Sequence, residues 1–250
     1  MSARPRRWRR LVLLLMALMA SVSLGLESLR ARVVAPVDAE LAGLRGWRPP
    51  STCQIYGADG ALIDDFAVEH RVWVDLAALP PAAWKAVLAA EDRRFLAHSG
   101  VDLRGILRAL RVNLEAGEIR EGGSTLTQQL VKNILVGSER SYGRKLREAL
   151  YAWRLERLFT KKQLLELYLN YVYLGAGNYG LEAASLDYFG VSAREIDAGQ
   201  AALLAGLIPA PSRYSPRADP DRAKARRAVV LAWPLITGLG VVATLAFWLG

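Results

Sequence analysis

The sequence predicts a mainly α-helical protein. A helical domain spans about residues 77–227, with a small β-containing stalk before it and an apolar helix at the N-terminus. Three observations carry this expectation. An uncharged run, Leu11 to Leu26, follows a cluster of arginines. Strand-like alternation around a turn signal is confined to residues 52–76. From Pro80 onward the apolar residues recur at helical spacing.

Charge locates the ends of the chain. The 250 residues contain 33 Lys+Arg and 24 Asp+Glu, a formal net charge of +9. Arg4, Arg6, Arg7, Arg9 and Arg10 supply five of the nine. The stretch 213–227 has six basic residues against Asp219 and Asp221 and supplies the other four. The remaining residues balance at 22 basic and 22 acidic, which excludes a broad basic face for nucleic acid. The excess instead flanks the two most apolar stretches, as at membrane edges. With 52% hydrophobic residues the chain can build a core. Cys53 is the only cysteine, so neither an intrachain disulfide nor a cysteine-cluster metal site can form. His70 and His98 alone do not suggest a histidine metal site.

Each segment follows from its pattern. Residues 1–10 form a basic tail and 11–29 a membrane anchor; a cleaved signal peptide is the alternative, with a weak small-x-small site at Ser21-Val22-Ser23. Arginines on the N-terminal side place that end in the cytoplasm and everything after Glu27 outside. Residues 30–76 are a linker, with Pro36, Pro49 and Pro50, followed by the stalk. There Gln54-Ile55-Tyr56 and Arg71-Val72-Trp73-Val74 read as strands around Ala58-Asp59-Gly60. At the other end, 228–250 is an uncharged segment. Three readings stay open for it: a second span, an interfacial segment, or the start of a shortened continuation.

The helix opened by Pro80-Pro81 sets Trp84, Val87, Leu88 and Phe95 on one face, and Glu91 falls on that face. A desolvated carboxylate there has a pKa raised toward the range useful for proton transfer; a structural Glu–Arg pair is the alternative. Asp92 and Arg93 are expected to point away. Gly122-Gly123 break the chain before Ser124, and Thr125 with Gln128 fits a capping box. The exposed N–H groups and dipole of that helix start suit phosphate, with Lys132 on one side; a solvated polar stripe is the alternative. Arg144 and Glu148, at i and i+4, share a face of the next helix, a surface ion pair being the alternative, while Leu146, Leu150, Trp153 and Leu158 are expected to pack. Lys161 to Tyr173 continues as a helix ending at Gly175-Ala176-Gly177, and Asp197 to Ile208 forms an Ala/Leu-rich helix.

Five blocks then match one family in order: Glu91 to Gly100, Gly123 to Asn133, Arg144 to Glu148, Leu165 to Asn170, and Arg226 to Leu231. In these blocks the chain resembles the family 51 glycosyltransferases, the peptidoglycan polymerases found alone or as the first domain of class A penicillin-binding proteins. The resemblance covers roughly 55–231 and implies a lysozyme-like two-lobed fold, a helical head and a membrane-dipping jaw with a cleft between them. It implies polymerisation of lipid II into β-1,4 glycan strands, with inversion and release of undecaprenyl pyrophosphate.

Residue by residue, the resemblance makes Glu91 the general base and Glu148 the second essential glutamate, beside a divalent cation (Mg2+ or Mn2+) at the substrate pyrophosphate. Lys132 and Arg144 neutralise the leaving group. His98, Ser124, Thr125, Gln128, Gln129 and Asn133 bind substrate or order the surrounding loops. Tyr168, Asn170 and Glu166 are expected to stabilise the fold. Gln200 departs from the family, which usually carries Glu there, and is expected to affect packing only.

The implied partners are lipid II, the growing glycan strand, the membrane and other cell-wall synthesis proteins. The implied location is the bacterial inner membrane, with the catalytic domain on the outer side. A catalytically silent membrane scaffold that binds lipid II is the alternative function; a lytic enzyme would have no need for pyrophosphate-binding cations.

Overall fold

The computed structural model describes residues 4–44, 46–49, 53–60, 62–66, 69–118, 122–136 and 142–233. The chain divides into two compact units, Met1–Trp47 and Arg48–Gly250.

In the first unit, α1 (Arg4–Leu29) passes through a π-helical segment, Arg30–Val34, into α2 (Ala35–Ala42). Residues 30–42, the first part of the expected linker, are thus helical. Pro36 stands in the first turn of α2, directly after the π-helical segment, where the regular α-helical ladder is already interrupted. The stretch Leu11–Ala42 is long and apolar enough to cross a membrane. Leu14, Met19 and Leu24 are 69%, 64% and 74% exposed. A water-soluble helix would hide such a face.

In the second unit, β1 (Cys53–Tyr56) and β2 (Leu62–Phe66) form an antiparallel hairpin. Its turn includes Gly60, with a φ of 80° that disfavours a side chain. The second expected strand reaches only Arg71: β3 is His70–Arg71, and Val72 to Val74 leave the sheet. The cause is a side chain. The Asn170 amide accepts from the Val74 N–H and donates to its carbonyl, both at 2.8 Å, taking the place of a neighbouring strand.

The helices follow: α3 (Pro81–Glu91), α4 (Leu103–Ala116), α5 (Leu126–Val131), α6 (Tyr142–Leu158) and α7 (Lys161–Tyr171). Phe95 belongs not to α3 but to a short 3-10 turn, Phe95–Ala97. After α7 come β4 (Tyr173–Gly175) and β5 (Asn178–Tyr179). Gly175-Ala176-Gly177 is therefore a hairpin loop rather than a helix stop, with all three residues at positive φ. β5 lies between β4 and β3, antiparallel to the first and parallel to the second.

The chain continues through α8 (Leu181–Phe189), α9 (Ala198–Leu207), α10 (Pro211–Tyr214) and α11 (Pro220–Leu231). Helix α9 packs against both α3 and α11, and its Ala201, Ala202, Leu204 and Ala205 are buried. Gly206 permits close approach there: a Cβ on it would stand 3.1 Å from Arg226 Cγ. Gln200 has a specific local task, since with Asp197 it forms the capping box that starts α9; a glutamine serves there as a glutamate would.

Two helices depart from simple amphipathic packing. Helix α6 buries Glu148, Ala152 and Leu155, while Leu146, expected to pack inward, is 74% exposed. Helix α4 turns Leu103, Leu107, Leu110 and Leu114 outward, each more than half exposed. Residues 234–250, most of the C-terminal apolar segment, lie outside the described residues.

Candidate active site

Glu91 is the last residue of α3, and the apolar spacing that buries Trp84, Val87 and Leu88 also carries its carboxylate inward. Burial pushes the Glu91 pKa up. A hydrogen bond from Gln129 and the positive field of Arg226 oppose that shift, while neighbouring Asp92 adds to it. Gln129 Nε2 donates to Glu91 Oε2 at 2.8 Å. The other oxygen, Oε1, is buried and has no hydrogen-bond partner among the described residues.

Glu91 lines a cavity of about 390 Å³. Its wall includes Arg94, Arg108, Ser124, Gln129 and Arg226. Gly123 brings the 122–125 segment flush against α4: a Cβ there would stand 3.2 Å from Ile106 Cα. Arg226 reaches the cavity from α11, and its Nε is buried without a hydrogen-bond partner among the described residues. Periodicity alone gave no role to the cavity-lining residues Arg94, Arg108 and Arg226; only the fold brings them to one place.

The loop after Glu91 is locked onto α5. Asp92 does not point away; it is buried at 7% exposure, and its Oδ2 accepts from the Leu126 N–H at 2.9 Å. The same carboxylate faces His98 Nε2 at 3.0 Å. Thr125 caps α5 and Gln128 completes the capping box, as the sequence suggested. Thr125 Oγ1 also donates to the Gly100 carbonyl at 2.6 Å. Gly100 has a φ of 94°, and a Cβ there would come within 2.6 Å of the Ala152 backbone. Beneath this loop, Glu156 Oε1 accepts from Thr127 at 2.6 Å, and Glu156 pairs with Lys161 at 2.5 Å. His98, Thr125 and Gln128 thus hold the site's frame.

A second cluster adjoins the cavity. Glu148 is 1% exposed, and its two oxygens face Arg144 Nε at 3.1 Å and Lys145 Nζ at 2.8 Å. Lys145 also donates to Ser124 Oγ at 2.8 Å. Ser124 therefore belongs both to the cavity wall and to this cluster. Lys145 stood inside a matched block but carried no expected role, because i,i+3 pairing with Glu148 is common on helix surfaces. Lys132 and Asn133 lie exposed on the π-helical turn Lys132–Val136 that continues α5. Tyr171 donates to the Asn133 carbonyl at 3.3 Å.

No group of three His, Cys, Asp or Glu able to hold a metal ion occurs among the described residues. Both oxygens of Glu148 already face cations. Among the described residues, the protein's own donors therefore do not make up a resident metal site.

Comparisons with known proteins agree on one family. The family model described as Transglycosylase matches residues 59–233. The chain is 46% identical over 188 residues to penicillin-binding protein 1A of Aquifex aeolicus (strain VF5), covering 75% of this chain and 26% of that protein. It is 44% identical over 207 residues to penicillin-binding protein 1A of Escherichia coli (strain K12), covering 83% of this chain and 24% of that protein. A crystal structure of penicillin-binding protein 1A from Haemophilus influenzae aligns at 26% identity and a TM-score of 0.39, covering 74% of this chain and 18% of that one. The chain thus spans about a quarter of the length of the curated relatives it matches. With its family model covering both carboxylates, the cavity and the helices that position them, the chain belongs to the transglycosylase family, the family 51 glycosyltransferases.

Proposed function

We propose that the chain is a peptidoglycan glycosyltransferase that polymerises lipid II into β-1,4 glycan strands. The observation that carries this is the state of Glu91: a buried carboxylate with one oxygen held by Gln129 and the other unpartnered, in the wall of a cavity with basic residues.

In the proposed reaction, the 4-hydroxyl of the incoming lipid II attacks C1 of the growing chain. The new C1–O bond forms on the face opposite the leaving group, so the configuration inverts. The C1–O bond to undecaprenyl pyrophosphate breaks, and its electron pair stays with the pyrophosphate. The hydroxyl proton passes to Glu91, whose raised pKa makes it a better base than an exposed carboxylate. The leaving pyrophosphate is a weak base and needs charge stabilisation more than a proton. Ser124 lies between the cavity and the Arg144–Lys145–Glu148 cluster, which suits the pyrophosphate to that side. Lys132 adds charge from the neighbouring turn.

The substrate's lipid requires a membrane surface. Two apolar surfaces suit one: the Leu11–Ala42 helix and the outward face of α4. We place the protein in the bacterial inner membrane, with its catalytic unit on the outer side, its partners being lipid II and the nascent strand.

Incubating the detergent-solubilised protein with labelled lipid II tests this reading. A ladder of longer glycans is expected from the wild type and a loss of about a hundredfold or more from Glu91→Gln. A Glu91→Gln variant that polymerises at the wild-type rate would refute Glu91 as the base.

A further inference from the structure

Tyr168 lies on α7, fully buried, and its hydroxyl donates to Gln129 Oε1 at 2.8 Å. The other end of the same amide donates to Glu91 Oε2 at 2.8 Å. These two hydrogen bonds run in series from α7 through α5 to the end of α3. We propose that Tyr168 is a positioning residue for the general base: it fixes which end of the Gln129 amide faces Glu91. The inference rests on the reading of Glu91 as that base.

The chemistry of the three groups leaves one satisfactory arrangement. Among the described residues, Gln129 is the only hydrogen-bond partner of the Tyr168 hydroxyl. A buried phenol that donates to nothing loses a hydrogen bond it had in water. If the amide were reversed, its nitrogen would take the phenol oxygen and leave the phenol proton without an acceptor. Its carbonyl would then face the carboxylate oxygen of Glu91, a contact tolerated only when Glu91 is protonated. With the phenol donating, the amide N–H must point at Glu91 and favours its ionised form. Burial and nearby carboxylates also raise the Tyr168 pKa well above the ordinary range, so the phenol keeps its donor proton.

Arg93, Arg94, Asp102 and Arg108 line the same cavity as Glu91, but the charges that act on its carboxylate most directly are two. Asp92, next in the chain, disfavours its ionisation, and Arg226 from α11 favours it. Neither touches the Gln129 amide through a hydrogen bond. Removing the phenol therefore alters one influence on Glu91 and leaves the other two in place. The sign follows: without Tyr168 the amide is free to reverse, the carboxylate loses its donor, and the Glu91 pKa rises further. A base must be ionised, so activity is lost first at low pH.

The experiment measures kcat/KM for labelled lipid II across the acid limb for the full chain. It compares wild type, Tyr168→Phe, Gln129→Met and the double variant, with Glu91→Gln as control. Tyr168→Phe is expected to move the limb upward by about one pH unit, the worth of one hydrogen bond to a charged group. Gln129→Met moves it the same way, and the double variant moves no further than Gln129→Met alone. An unmoved limb in either single variant, or shifts that simply add in the double, overturns the relay. Where Tyr168→Phe does not fold, Gln129→Met decides alone, an unmoved limb overturning the relay. If Glu91→Gln polymerises like wild type, the general-base reading itself fails. If it is inactive while both limbs stay put, only the relay fails.

Discussion

The carboxylate of Asp92 accepts a hydrogen bond from the backbone N–H of Leu126, joining the residue after the proposed base to the first turn of α5. One carboxylate thereby sets the separation between Glu91 and the helix that carries Gln129. Asp92→Ala should leave a helix-start N–H and His98 without their acceptor. We expect a stability loss of roughly 2 kcal/mol. Activity should fall more than stability explains, and thermal unfolding beside the glycan assay separates the two. Equal losses would reduce Asp92 to a cap.

Glu91 should show the opposition between stability and function. Its pKa is raised in the folded protein, so between the unfolded and folded values the native state holds a proton that the unfolded chain has lost. Stability therefore falls as pH rises through that window. Glu91→Gln should unfold at a higher temperature than wild type at neutral pH, with the difference vanishing below the ordinary carboxylate range. Melting curves at several pH values check this. A variant less stable than wild type at neutral pH would show that the Gln129 bond and Arg226 outweigh burial.

Gly100 should tolerate no side chain. A methyl there meets the Ala152 backbone at 2.6 Å on a residue already at positive φ. Relief requires the 92–100 loop to lift from α6, and that breaks the Thr125 bond to the Gly100 carbonyl. Gly100→Ala should cost on the order of 2–4 kcal/mol, read by denaturant titration.

The outward leucines of α4 should matter for membranes and little for folding. Leu107→Glu with Leu114→Glu changes two side chains that are 65% and 74% exposed. Unfolding should shift by less than about 0.5 kcal/mol. Flotation with anionic vesicles should show weaker association for a chain lacking residues 1–47. Unchanged flotation would remove α4 from the membrane surface.

Local signals in the sequence were faithful where the cause was local. Thr125 and Gln128 form the expected capping box, Arg144 and Glu148 share a helix face, and the spacing that buries Trp84 also turns Glu91 inward, with its Oε1 buried. Non-local causes were not legible. Val72 to Val74 looked like a strand, but Asn170, far along the chain, satisfies the Val74 backbone with its side chain. Asp92 looked exposed by helical phase, but α3 ends one residue earlier and the phase no longer applies. Leu146 looked like a core residue because apolar spacing does not distinguish a protein interior from other apolar surroundings.

Gly206, by having no side chain, lets Arg226 lie across α9, and Arg226 in turn lends its charge to Glu91. These two partners stand at opposite ends of the catalytic unit's sequence. A ribosome makes Glu91 early and Arg226 late, so the proposed base is synthesised well before the opposing charge. The electrostatic surroundings of Glu91 are therefore complete only once α11, the final described helix, packs against α9.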